Sequence, residues 1–224
     1  MKDIYIALSG ATAAWDQLSG ISHNLANGRT QGFRESRTSF ELAGEGPVGG
    51  MYALTGETTY STADGDLLVD EVPTHVALRG DGFFALADGT FTRDGTFHLD
   101  AERTLVSSDG VAVLGEGGEL QIPEFGDVLI GSDGIVRSGS DEIGRIQVVT
   151  LLNPNPLGGN RWGGEAGERP EGTSMVQGAV EGSNADTMRG MIEMIEASRY
   201  FEAQQKAIQT SDDFRARLNR IGGN

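Results

Sequence analysis

The residues best suited to acid–base or metal chemistry near neutral pH are three histidines, His23, His75 and His98. No two of them stand at the helical four-residue separation or the loop spacings that let imidazoles share a metal ion, so each reads as an isolated surface or core residue. The 224-residue chain has no cysteine, which removes thiolate nucleophiles, thiolate metal sites and disulfides together. It also has no G-x-S-x-G elbow, Walker loop or H-E-x-x-H helix. Gly44, Gly46 and Gly49 spell G-x-G-x-x-G, but Pro47 lies inside the motif, no hydrophobic strand precedes it and no helix follows, so a dinucleotide site is not supported. Asp-Gly pairs at Asp81, Asp88, Asp94, Asp109 and Asp133 invite a calcium reading. Their spacing does not make the twelve-residue loop with its closing glutamate, whereas Asp-Gly directly supplies the positive φ of tight turns. Arg79-Gly80-Asp81 is an adhesion-type tripeptide whose simpler reading is the turn Gly80-Asp81-Gly82. A hydrolase built on two carboxylates needs them about 5–10 Å apart across a cleft, and nothing singles out a pair. No catalytic residue, metal or cofactor is therefore expected, and the chain reads as a non-enzyme.

What those residues sit on is more informative. A net charge of −16 and a pI near 4.5 argue against nucleic acid and anionic membrane surfaces, because phosphate binding needs clustered Lys and Arg. No run approaches the ~18 apolar residues of a membrane span, so no membrane insertion is expected. Lys2, the Ile4–Leu8 run and Ala11-Thr12-Ala13 superficially imitate a secretory signal. Asp3 spoils the basic segment, the apolar run is short, and the periodicity continues past the cleavage-like point, so the segment reads as mature helix.

Ile4, Leu8, Ala11, Trp15, Leu18, Ser22 and Leu25 are spaced 4, 3, 4, 3, 4 and 3, a heptad seam along an N-terminal helix. Gly10 and Gly20 each cost about 1 kcal/mol relative to alanine, so this helix should form only when packed. Gly28 is the expected stop and Gly32 a second break. The other end carries a longer helix, from a capping box at Ser183 and Asp186 to Gly222-Gly223. Its apolar residues are Met188, Met191, Ile192 and Ile195, then Met194, Ala197, Phe201, Ile208 and Leu218, a stripe that drifts around the helix. Glu202 with Lys206, and Asp213 with Arg217, are the expected intrahelical ion pairs. At 1.5 Å per residue this helix is roughly 55 Å long, more than a compact domain of this size requires.

Between the helices the period changes. Residues 34–75, with a glycine cluster from Gly44 to Gly50 and Thr-rich sequence after it, read as a connector. Residues 76–152 alternate short apolar runs with the Asp-Gly turns and read as a compact antiparallel β domain. Residues 153–182, containing Pro154, Pro156 and Pro170, read as a second connector. The expected class is α+β, with helices in 1–33 and 183–224 packed as a coiled-coil-like pair and the compact antiparallel β domain central in the chain. A binding module with a helical oligomerisation hairpin would share this layout.

Asn24, Asn27 and Thr30 cluster where the first helix stops, followed by Gly32-Phe33, either as a capped helix end or as a corner where subunits meet. The run Asn24-Leu25-Ala26-Asn27-Gly28-Arg29-Thr30-Gln31-Gly32-Phe33 resembles the N-L-A-N-x-x-T-x-G-F signature of the bacterial flagellar rod and hook axial proteins. Phe91-Thr92-Arg93-Asp94-Gly95-Thr96-Phe97 is similar to that family's central aromatic-T-R-x-G-x-F segment, and Asp109-Gly110 with Val113-Leu114-Gly115 continues it. Ser183-Asn184-Ala185-Asp186 and Met194-Ile195 with Arg199-Tyr200-Phe201-Glu202 match its C-terminal patterns. Arg103 stands where the family often has glycine, and Ala185 replaces a larger aliphatic residue. The start Ile4–Ala11, the segment Gly80–Phe84 and the chain length most resemble the family's proximal-rod type. The resemblance implies a structural subunit of the basal-body rod, transmitting torque, exported through the flagellar type III apparatus without a cleaved signal peptide and assembled in the periplasm with copies of itself and other rod proteins. Both helical stripes, with Asn24, Asn27, Thr30, Phe33, Arg199 and Glu202, are then the expected subunit interface.

Overall fold

The computed structural model describes residues 2–43, 52–123, 127–158 and 160–222. The chain is α+β and divides into two units. Unit 1 takes residues 1–28, 35–61 and 185–224, and unit 2 takes 29–34 and 62–184.

Unit 1 is two helices and a hairpin. Helix α1 (Lys2–Ala26) and helix α2 (Thr187–Gly222) run antiparallel. A Cβ on Gly10 would lie 3.3 Å from Gln204, the Trp15 and Phe201 rings are 6.0 Å apart, and Gly28 abuts Thr187. Besides the buried Gly10, the covered positions of α1 include Ala7, Ala11, Ala14, Leu18, Ile21 and Leu25, and those of α2 include Gly190, Met194, Ala197, Phe201, Gln204 and Ile208. Both sets keep alternating four- and three-residue steps, but the α1 set is not the expected one. Ala11, Leu18 and Leu25 belong to it, whereas Leu8, Trp15 and Ser22 are exposed. Small side chains at 7, 11 and 14 let the helices approach, and that closeness turns the bulkier residues outward. The side chains of Ile4 and Leu218 lie outside the described residues.

Strands β1 (Ser36–Ala43) and β2 (Tyr52–Tyr60) form an antiparallel hairpin inside what reads from sequence as a connector. Thr55 donates to Asp16 of α1 at 2.6 Å, and the N–H of Ala53 donates to the Ser9 hydroxyl at 3.3 Å. A two-stranded ribbon of Thr, Ser and Tyr has strand propensity without an apolar run, which is why periodicity does not reveal it. The glycine cluster from Gly44 to Gly50 lies outside the described residues.

Unit 2 is a set of small antiparallel sheets around one core. A five-stranded sheet places Val148–Val149, Phe83–Ala85, Phe91–Thr92, Arg161–Ala166 and Leu151–Gly158 side by side. Val76–Arg79 pairs with Ser174–Gln177, Leu67–Val69 with Ala179–Glu181, and three strands between Val128 and Arg145 form another sheet. Val76, Leu78, Phe84, Phe97, Leu105, Val136 and Ile146 are fully buried, with Phe84 edge-on to Phe97 at 4.9 Å. Residues 153–182 are thus largely strand rather than connector. Pro154 and Pro156 misdirect the reading because Leu151–Gly158 is an edge strand, where a missing N–H costs no ladder bond. Among the described residues no helix is long and apolar enough to cross a membrane.

Candidate functional site

Once α1 and α2 have covered each other, a second set of apolar side chains on unit 1 remains in solvent. Leu8 and Trp15 of α1 and Met188, Met191, Ile192 and Ile195 of α2 are 51–76% exposed. The long C-terminal stripe therefore divides. Met194, Ala197, Phe201 and Ile208 turn toward α1, and Met188, Met191, Ile192 and Ile195 turn outward. Trp15, Leu18, Ser22, His23, Ala26 and Met194 line an apolar groove beside this patch. Large apolar side chains left exposed along a helix pair offer surface to a partner. Arg199 and Glu202 are also exposed. Neither expected intrahelical pair is among the ion pairs of the described residues, and α2 instead carries Arg189–Glu193 at 2.7 Å.

The polar residues around the helix ends are occupied within the molecule. Asn24 Nδ2 donates to the Ser36 carbonyl at 2.7 Å, and its Oδ1 accepts from the Ser36 N–H at 3.0 Å and hydroxyl at 3.1 Å. This amide imitates a strand partner and fixes the start of β1 against α1. Asn27 Nδ2 donates to the His23 carbonyl at 2.9 Å, satisfying an acceptor in the last turn of α1. Gly28 is not left-handed; it is glycine because a Cβ would lie 2.1 Å from Thr187 Cγ2. At α2 the expected capping box shifts by three residues. The helix begins at Thr187, and Asp186 is its N-cap, accepting from the N–H groups of Met188 and Arg189 at 3.0 Å each.

Thr30 and Phe33 belong to unit 2, beside a buried polar cluster that the sequence does not announce. Gly32 adopts φ +67, and a Cβ there would come within 2.5 Å of the backbone joining Arg93 to Asp94. Its N–H donates to the Glu181 carbonyl at 2.8 Å, the Thr30 carbonyl accepts from the Phe33 N–H at 3.3 Å, and Phe33 is buried. Behind this turn lies a buried ion network. Arg93 Nε donates to Glu181 Oε2 at 2.5 Å, Nη1 to the Gly82 carbonyl at 2.5 Å, and Nη2 to the Gly80 carbonyl at 2.6 Å and Asp64 at 3.1 Å. Arg34 reaches the other Glu181 oxygen at 3.2 Å and donates to the Ala63 carbonyl. The Gly65 N–H completes the acceptor at 2.9 Å. Burial first, and then the charge of Arg93, pull the Arg34 guanidinium below its ordinary value. Asn184 closes the cluster, its N–H donating to the Phe33 carbonyl at 3.2 Å and its amide to the Ala63 carbonyl at 2.7 Å. Arg93 lies in the central motif, but its partners are far away in sequence, and no local pattern announces them.

The other singled-out residues are structural. Asp88 accepts from the Thr90 N–H at 3.0 Å and from Arg161 at 2.8 Å, and Asp94 and Asp133 close similar turns with Thr96 and Ile135. Gly82, Gly89, Gly110 and Gly134 have positive φ. Gly95 does not; it is a close-approach glycine whose Cβ would lie 1.7 Å from the Val76 carbonyl oxygen. His75 Nδ1 meets Asp70 at 2.5 Å. Among the described residues no group of three or more His, Asp or Glu could hold a metal ion. Trp162 is core, tilted against Phe83 at 5.5 Å. Arg103 keeps φ +62, the conformation glycine favours, and its Nε donates to the carbonyls of Ile122 and Pro123 at 3.1 Å each.

Comparison with known proteins adds names to this geometry. Residues 176–221 match the family model described as flagellar basal body rod FlgEFG protein C-terminal, and residues 77–138 match that described as flagellar hook protein FlgE/F/G D1 domain. The flagellar basal-body rod protein FlgG of Borreliella burgdorferi is 31% identical over 99% of this chain and 98% of its own length. FlgF of Mesorhizobium japonicum is 34% identical over 90% of each chain, and FlgF of Escherichia coli K12 is 28% identical over 97% of each.

Proposed function

We propose, because the chain belongs to the flagellar basal-body rod protein family, that it is a structural subunit of the rod of the flagellar basal body and not an enzyme. The observation that carries this reading is the apolar surface left on unit 1 after α1 and α2 have packed together. In the assembled rod, Leu8, Trp15, Met188, Met191, Ile192 and Ile195 meet copies of this chain and neighbouring rod proteins. The stepped spacing of the covered positions supports a coiled-coil-like pairing of the two helices. Within unit 1, Arg199 and Glu202 are exposed and available to a neighbouring subunit.

The subunit sits in the proximal rod, on the resemblance of Ile4–Ala11 and Gly80–Phe84 to that type, with the distal rod as the alternative. It reaches the periplasm through the flagellar type III apparatus and transmits torque along the rod. Electron microscopy of basal bodies from a strain lacking this gene tests both parts. Interrupted rods are expected, and the length at which they stop reads the position. Complete rods would overturn the assignment.

A further inference from the structure

In a chain of net charge −16, two arginines of unit 2 converge from different elements on a single carboxylate. Arg145 ends the strand Asp141–Arg145, and Arg169 lies in the loop after Arg161–Ala166. Each Nη1 stands 3.7 Å from Glu116 Oε1, an ion-pair distance too long for a hydrogen bond. Arg145 Nε and Arg169 Nη1 are buried with no acceptor, and the Asp133 carbonyl takes only Arg169 Nη2, at 2.7 Å. Among the described residues these are the only buried side-chain polar atoms without a partner. Two orphaned donors on guanidinium groups that share one carboxylate call for an acceptor that Glu116 at this distance does not supply.

We propose that Arg145 and Arg169 form an oxyanion-binding fork, open to solvent on its outer side, that takes a carboxylate or phosphate-like group. Glu116 occupies it loosely as an internal competitor. Its side chain is 54% exposed, so it can rotate into water at little cost when another anion arrives. Planar guanidinium groups bind carboxylates and phosphates in two-point geometry, which fits a bridging oxyanion between these two better than the single shared oxygen of Glu116. The group can come from an acidic side chain of a second copy or from a free anion.

The test uses the full-length chain, titrated with inorganic phosphate and separately with acetate at constant ionic strength and followed by thermal denaturation. Phosphate is expected to raise Tm in a saturable manner. Glu116→Ala should tighten binding several-fold by removing the competitor, and Arg145→Gln or Arg169→Gln should weaken it about tenfold or more. A purely structural triad would instead make all three variants less stable with no phosphate response. Sedimentation equilibrium separates the sources. Association that strengthens in Glu116→Ala and disappears in Arg169→Gln assigns the site to a neighbour's carboxylate, whereas phosphate binding by a chain that stays monomeric assigns it to a free anion. No saturable response to phosphate or acetate in wild type and Glu116→Ala, with no change in association, would overturn the proposal.

Discussion

Glu181 receives two buried guanidinium groups and a backbone N–H, and this one residue binds the 29–34 turn, the Asp64 loop and the Arg93 motif together. Such a network is weak evidence for net stability, because desolvating its charges offsets much of their attraction. Breaking it is another matter. Glu181→Gln leaves Arg34 and Arg93 buried with only the partly exposed Asp64 as a carboxylate partner, and unit 2 is expected to lose about 3–5 kcal/mol, read as a lower midpoint in urea denaturation. An unchanged midpoint would show that water or Asp64 replaces the carboxylate. Arg103 illustrates the opposite case, a side chain accepted in a glycine conformation because two carbonyls hold its guanidinium.

Helix pairing depends on what is absent from side chains as much as on what is present. The start of α2 passes so close to the end of α1 that Gly28 has no room for a methyl group beside Thr187 Cγ2. Gly28→Ala should therefore cost about 1–3 kcal/mol through overpacking. Thr187→Ser removes the opposing methyl and should restore most of that loss, a coupling above about 0.5 kcal/mol in a double-mutant cycle. Additive effects would mean that the contact does not control the approach. The same close packing explains the displaced seam: alanines at 11 and 14 face α2, and Trp15 and Leu8 are pushed to the outside.

For the whole molecule the test lies in what the exposed stripe does and does not affect. Ile195 is 56% exposed, so Ile195→Asp should leave the monomer's circular dichroism unchanged and its unfolding free energy within about 0.5 kcal/mol of wild type while abolishing swimming in a complemented deletion strain. Normal swimming would remove Ile195 from the assembly surface. Phe201→Asp is less informative, because Phe201 lies against Trp15 and its loss would disturb the helix pair itself.

The sequence by itself determined the α+β class, both long helices, most strands between 83 and 149, the Asp-Gly turns and the family, because each rests on local spacing or a contiguous motif. It could not determine which apolar residues face inward. Two overlapping stripes on one helix are indistinguishable until a partner's small side chains choose between them, as Ala11 and Ala14 do here. Nor could it pair Arg93 with Glu181 and Arg34, since charges buried together are separated along the chain and joined only by the fold. The exposed residues Leu8, Trp15, Met188, Met191, Ile192 and Ile195 are thus supplied by the sequence, but tertiary packing selects them as surface by covering the seam beside them.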